Sequence, residues 1–316
     1  MPVPEVIEIA PHGDVLLVCG EQVDGAKITC LRVDSHIMSF GSPVFKTLLA
    51  SGFKEGSTLA TSTMVEIPLP EDIPEHMAML CNIFHMRSDC VSQLNLSSLQ
   101  GLAQLCDKYD CAPAAKPTVD SYFLSKLPDA PVSMLEDYLG AAVKLRCTNA
   151  VKRIAVSIVH QSTDPITETA EAKDVPLGFI CAMINTMFRE AHRTISVLID
   201  HFIEQQLFDR AMNSGCETRC SVSPMRVRSL LTQLRGCKLW GNPTGHVKLE
   251  TKLGAMESLH LHDPADLSAC GRPGGFCTQD YNILKLSACE DTFLKKATEI
   301  RRMVEAMDFS ELGNAS

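Results

Sequence analysis

Residues 34–49, DSHIMSFGSPVFKTLL, decide how the first third of the chain is read. Asp34 or Ser35 can cap one helix, and Ser42 followed by Pro43 sets a capping hydroxyl before a proline at the first position of a second. A side-chain oxygen there accepts from helix N–H groups that have no partner, and proline lacks an N–H that would go unpaired in any case. Two short helices in tandem follow from this chemistry, with Ile37, Met38, Val44, Phe45 and Leu48 expected to be buried.

Upstream, residues 14–18 (DVLLV) and 27–33 (KITCLRV) are short apolar, β-branched runs. Asp24-Gly25 between them is a tight-turn signal, so the pair reads as a hairpin. Downstream, residues 64–69 (MVEIPL) read as a third strand, whose prolines at 68 and 70 confine its end to a sheet margin. Met77, Leu80, Cys81 and Phe84 recur at helical spacing over residues 74–86, and Leu99, Leu102, Ala103 and Cys106 over 97–109. A loop around Asp89 separates the two helices, and Pro113 with Pro117 is expected to end the unit.

Residues 118–170 read as helical. Ser133 and Glu136 form a capping-box signature ahead of Leu135, Tyr138, Leu139 and Ala142. Asn149 is expected to cap the next helix, burying Val151, Ile154, Ala155 and Ile158. After a threonine-rich connector over 163–173, Ile180, Ile184, Met187, Ala191, Ile195, Leu198 and Phe202 predict a long helix over 177–210, about 45 Å from end to end. The last third is richer in glycine, proline and cysteine, with helices expected at 224–234, 247–259 and 280–307. No internal repeat appears, so a solenoid or propeller is not expected.

Composition bounds what such a chain does. Its 316 residues suffice for more than one core, and 45% hydrophobic with 21% charged residues is the balance of a soluble globular protein. A net charge of -9 provides no global basic field for phosphates. The short basic clusters, Arg226 with Arg228 and Lys295, Lys296, Arg301 and Arg302, read as solvated helix faces, which argues against a nucleic-acid partner. The N-terminus carries acidic residues and prolines where an export signal needs positive charge, and no apolar run is long enough to span a bilayer. The expected location is intracellular, cytoplasmic or nuclear, with no membrane partner. The fourteen cysteines are scattered, several on apolar helix faces, and are expected to be reduced.

The order of strand pair, tandem helices, third strand and two further helices resembles the BTB/POZ core. Asp14-Val15 resembles its strand opening, Ser35-His36-Ile37-Met38 its Ala/Ser-His-x-x-Leu, and Ser42-Pro43-Val44-Phe45 with Leu48-Leu49 its second helix. Phe53-Lys54-Glu55, Val65-Glu66-Ile67, Phe84, Leu102-Ala103 and Cys106-Asp107-Lys108-Tyr109 follow in the family's order, and IPLPED, IFH and LCDKYDC are similar to its large fungal branch. The resemblance implies an α+β BTB/POZ domain over 12–115, a small sheet with helical hairpins, after an N-terminal tail at 1–11. A mostly α-helical region then comprises an extension with the long helix, 116–210, and a cysteine-rich part, 211–316.

That resemblance also implies a function: a protein-interaction scaffold, capable of homo-oligomerising, or a substrate adaptor of a cullin-RING ubiquitin ligase. It has protein partners, no small-molecule substrate, no cofactor and no catalysis. Asp14, His36, Ser42, Phe45, Asp107 and Tyr109 are its structural signature, with His36 expected to bond backbone and Asp14 to fix a strand end. Phe53 and Glu55 match the hydrophobic-x-Glu element that contacts the cullin; the alternative is that Phe53 closes the core and Glu55 is merely solvated. Two departures matter. Ile37 stands where transcription-factor members place a basic residue, so their charged corepressor groove is not carried over. Only thirteen residues, with Pro2, Pro4 and Pro11, precede Asp14, so neither is their strand-swapped dimer.

A second reading rests on metal. Cys216, Cys220, Cys237, His246, His260, His262, Cys270 and Cys277 crowd the last third, and zinc takes four such ligands. Cys216, Cys220, His262 and Cys270 are the candidate quartet of a zinc-stabilised regulatory, transcriptional protein. Their spacing fits no standard finger, and scattered structural thiols are the competing interpretation. Stoichiometric zinc lost on Cys216→Ser with Cys220→Ser would mark this reading. No nucleophile elbow, phosphate-cradling loop or His-Glu-x-x-His occurs, and Gly271 to Gly275 reads as a loop, so an enzyme is not expected.

Overall fold

A computed structural model describes residues 5–20, 28–50, 52–59, 61–87, 94–166, 175–204, 222–240, 247–262 and 290–310. The chain clusters into two compact units, Met1–Ile154 with Asp308–Ser316, and Ala155–Met307. Among the described residues it is a mixed α/β protein, with one four-stranded sheet near the N-terminus and helices thereafter.

The apolar runs form the middle of the sheet. β2 (Val15–Cys19) and β3 (Thr29–Val33) pair antiparallel with Val15 opposite Val33 and Leu17 opposite Leu31. Val15, Leu17, Cys19, Leu31 and Val33 are fully buried, the inward face of a period-two pattern. The turn carrying Asp24-Gly25 lies outside the described residues. β4 (Val65–Leu69) runs parallel to β2 at the sheet edge, where Pro68 leaves no central ladder position without a donor. The other edge is β1 (Glu5–Glu8), parallel to β3. The sequence does not announce it, because all four of its residues are exposed and no alternation of burial marks it.

The tandem helices begin where their caps predict. In α1 (Ser35–Gly41) the Asp34 carboxylate accepts from the N–H groups of His36 and Ile37. In α2 (Pro43–Leu48) the Ser42 hydroxyl accepts from Phe45, with Pro43 at the first position. A short α3 (Lys54–Leu59) precedes β4, and α4 (Pro74–Phe84) and α5 (Leu96–Lys108) follow it. All eight apolar positions assigned to these last two helices are buried. A capping box between Asn95 and Ser98 starts α5. The loop around Asp89 lies outside the described residues.

Three expectations are corrected beyond α5. Pro113 and Pro117 do not end the unit, for both lie in α6 (Ala112–Lys126). Pro113 occupies the first turn, where an N–H has no partner. Pro117 costs about 3 kcal/mol in a helix interior, but the same helix buries Val119, Tyr122 and Phe123, each contributing about 1.5–3 kcal/mol. Ser133 caps nothing: α7 (Val132–Lys144) starts after Pro131, with no side-chain cap, and Ser133 sits inside its first turn. Asn149 is likewise internal, since α8 (Thr148–Gln161) is entered at Cys147, whose carbonyl accepts from Val151. The inward face of α8 is as the spacing predicts, Val151, Ile154, Ala155 and Ile158.

The second unit is built on α9 (Val175–Glu204), 30 residues long. Ile180, Ile184, Ala191, Ile195 and Phe202 are buried, whereas Met187 and Leu198 are half-buried because Phe188 and Ile199 take the inward places. Residues 205–210 of the expected helix lie outside the described residues. Among the described residues the unit also holds the end of α8, α10 (Val222–Gly236), α11 (Leu249–Glu257) and α12 (Glu290–Glu305), with Phe293, Ala297, Ile300 and Val304 forming the buried stripe of α12. Asn185, buried on α9, accepts from the Ile166 N–H at 2.8 Å and donates to its carbonyl at 3.1 Å, so both backbone polar groups of this buried residue are satisfied without a helix or a sheet. No described helix is long and apolar enough to cross a membrane.

Candidate protein-docking surface

Two polar joints hold the tandem helices to their surroundings. At the first, the Asp14 carboxylate accepts from the Ser35 N–H and the Ser35 hydroxyl, both at 2.8 Å, tying the start of β2 to the start of α1. The histidine that bonds backbone here is His85 rather than His36. His85 Nδ1 lies 2.7 Å from the Cys81 carbonyl and its Nε2 accepts from the Asp34 N–H at 3.2 Å, the pattern of a ring carrying its proton on Nδ1. The His36 side chain is 94% exposed, because the inward positions of α1 are Ser35 and Met38 and the two residues between them are exposed. The readable signal for His85 is its place one turn after Cys81, at the end of α4.

At the second joint, the buried Ser42 hydroxyl accepts from Phe45 at 3.1 Å and donates to the Tyr109 carbonyl at 2.7 Å. The Phe45 and Tyr109 rings stack at 4.6 Å and 12°. Tyr109 donates its hydroxyl to Asp72, which also receives Lys108 Nζ at 2.8 Å. Burial first, then the hydrogen bond and negative charge of Asp72, hold the Tyr109 phenol protonated far above its usual range. Asp72 is only 3% exposed, and nothing local in the sequence marks it. The structure thus brings Ser42, Phe45 and Tyr109 together and leaves Asp107 exposed at the end of α5.

The outward side of these helices is apolar. Ile37 and Val44, expected inside, are exposed, Leu48 is half-buried, and Phe40 is 96% exposed. The buried positions are Ser35, Met38, Ser42, Phe45 and Leu49. Spacings of three and four fit residues 37, 40 and 44 equally well, so periodicity alone does not select the face.

Phe53 leads into α3: its carbonyl accepts from Ser57 at 2.9 Å, while its own N–H donates to Ala50 at 3.1 Å. Its ring is 50% exposed, so it does not close the core, and Glu55 beside it is half-buried. Gly56 sets this display. A Cβ at that position would fall on the Ala50 carbonyl oxygen and stand 2.6 Å from that of Leu49. Only a residue without a side chain lets α3 lie so close to the exit of α2.

Of the candidate zinc ligands, Cys216, Cys220 and Cys270 lie outside the described residues. His262 is exposed, and its backbone is paired with Gln233, N–H to Oε1 at 2.8 Å and Nε2 to carbonyl at 2.9 Å. The described residues hold no group of three or more His, Cys, Asp or Glu suited to a metal ion. Their cysteines are free thiols, all buried except Cys237. Burial and the neighbouring Asp72 push Cys19 up to about 12, and burial with Asp120 does the same for Cys147. Arg301 is not the solvated residue it was expected to be. It binds Glu250 at 2.8 and 2.9 Å and Glu257 at 2.7 and 3.2 Å, which lowers Glu250 below the usual carboxylate range.

No family model matches the chain, and no curated protein matches it.

Proposed function

We propose that this chain is a protein-interaction module whose first unit is of the BTB/POZ type, acting as a scaffold or as the substrate adaptor of a cullin-RING ubiquitin ligase. The observation that carries this reading is the half-exposed ring of Phe53 beside Glu55, on a helix whose placement depends on Gly56. Large aromatics held on rigid backbone are the residues that dominate binding energy at interfaces. The buried polar groups of the first unit serve the fold: Asp14 bonds Ser35, Ser42 bonds Tyr109, and Asp72 bonds Tyr109 and Lys108. Each of these side chains is engaged by protein, which is the pattern of a structural joint.

The test is direct binding of the purified full chain to a purified cullin, measured by titration calorimetry. Phe53→Ala with Glu55→Ala should weaken the complex by about 30-fold or more, the loss of some 2 kcal/mol at a hot spot. Because Phe53 is half-exposed and Glu55 is only half-buried, the variant should stay close to the thermal midpoint of the parent. No binding of the parent chain at tens of micromolar cullin would sink the adaptor form. A homodimer by sedimentation under those conditions would leave the scaffold form standing.

A further inference from the structure

Two cysteines meet where α5 hands over to α6. Cys106 lies in the last turn of α5 and Cys111 caps α6, and each is 1% exposed. Between them the chain folds back on itself: the Cys111 N–H donates to the Cys106 carbonyl at 2.9 Å, Tyr109 caps α5, and Asp110 turns the chain at φ 47°. A backbone bond from residue i+5 to residue i is the closure seen at reversed helix ends. It brings the two α-carbons into the range that a disulfide spans. Both thiols are free in this structure.

We propose that Cys106 and Cys111 are a dithiol–disulfide pair, a modification site at which a low-molecular-weight disulfide such as glutathione disulfide closes a covalent loop around Tyr109. One protein thiolate attacks a sulfur of the small disulfide, forming a mixed disulfide and expelling one small thiolate. The second protein thiolate then attacks the protein sulfur of that mixed disulfide and expels the other. Two protein S–H bonds and one small-molecule S–S bond become one protein S–S bond and two small-thiol S–H bonds, which keep both protons. The protein is oxidised by two electrons and the small disulfide is reduced by two.

Contact with Cys111 and burial keep the Cys106 thiol well above its ordinary range. The thiolate is the attacking species, so exchange proceeds through opening of the turn at 107–111. What opens there is the joint that holds α2, since Tyr109 both stacks on Phe45 and accepts from Ser42. The disulfide would lock that turn closed. Its formation is independent of any partner docked at Phe53.

The experiment incubates the full chain with glutathione disulfide at pH 8, alkylates the remaining thiols and maps tryptic peptides by mass. Trypsin cuts after Arg87 and Lys108, and the peptide over 88–108 carries Cys90 as well as Cys106, so a Cys106–Cys111 bond must appear as two joined peptides that dithiothreitol separates and in which fragmentation finds Cys90 alkylated. The expected result is that joined pair as the main oxidation product, its accumulation accelerated in Tyr109→Phe, which loosens the turn. Cys111→Ser should abolish it. The proposal is overturned if both cysteines are recovered alkylated after exhaustive oxidation, if they carry only glutathione, or if either is joined to Cys81, Cys90 or Cys147. The parent chain alone separates these outcomes, so the test does not depend on whether a cysteine variant folds.

Discussion

Tyr109→Phe isolates one hydrogen bond in the joint beneath the tandem helices. The substitution keeps the ring that stacks on Phe45 at 4.6 Å and removes only the hydroxyl given to Asp72. Asp72 is left 3% exposed with Lys108 Nζ at 2.8 Å as its remaining side-chain donor. Lys108 is itself 42% exposed, so its attraction is screened by water and replaces little of what is lost. A hydrogen bond to a charged group contributes about 1.5–3 kcal/mol, and an under-satisfied buried acceptor costs a similar amount. The expected loss is therefore about 2 kcal/mol, close to a 30-fold rise in the unfolded fraction. Against a total of about 5–15 kcal/mol this is a large share.

The assay must report on the first unit. The one tryptophan, Trp240, belongs to the second, so its fluorescence would miss the effect. Amide hydrogen exchange of peptides covering 14–20 and 29–49 reads the relevant opening. In a cycle with Asp72→Asn, the coupling between the two positions should exceed about 1 kcal/mol. Exchange within about 0.5 kcal/mol of the parent, or a coupling near zero, would refute the assignment of Tyr109 and Asp72 as one joint.

Two more outcomes follow from the geometry. Gly56→Ala forces a methyl group onto the Ala50 carbonyl, so α3 must shift; exchange over 53–59 should rise by the equivalent of about 2 kcal/mol, and unchanged protection there would contradict the close approach. His192 is held by burial, and by Lys252 Nζ at 3.1 Å, at about 4 against 6.5 for a free imidazole. Between those values the unfolded chain binds a proton that the folded unit refuses, so stability is complete above pH 6.5 and falls as pH drops toward 4. Full linkage is about 3 kcal/mol; partial solvent access reduces this to about 1–2 kcal/mol. Urea midpoints by Trp240 fluorescence at about pH 7 and about pH 4.5 should therefore diverge more for the parent than for His192→Leu, and parallel behaviour would remove His192 as the cause.

What is legible in the sequence is local. Asp34 and Ser42 cap helices two and three residues away, and Pro43 sits at a first helical position, all within one turn of chain. The β2–β3 pairing follows from two apolar runs around a turn signal. What is illegible is set by contacts distant in sequence. Asp72 meets Tyr109 across 37 residues and Asp34 meets His85 across 51, and a lone acid or histidine announces no such partner. β1 pairs through its backbone while exposing every side chain, so its residues carry no pattern to read. Ser133 and Asn149 are good capping residues placed two positions too late, because Pro131 and Cys147 set the entry to each helix. On α1 and α2 the period is right and the phase is not, which is why Ile37 and Val44 are expected inside and found outside.

That misassigned phase bears on the docking reading. Half of a phenylalanine side chain is roughly 100 Å² of apolar surface, so a partner covering Phe53 gains about 2.5 kcal/mol at about 25 cal/mol per Å². The gain is kept only if little ordering is required on binding. Here the backbone that presents Phe53 is already fixed from two sides: its N–H is given to the Ala50 carbonyl and its own carbonyl accepts from Ser57, and Gly56 seats α3 on the α2 exit. The α2 helix is in turn pinned by Ser42 to Tyr109 and by Tyr109 to Asp72. The cost of ordering the Phe53 backbone is met when the first unit folds, which under the proposed docking leaves more of the ring's burial energy for a partner.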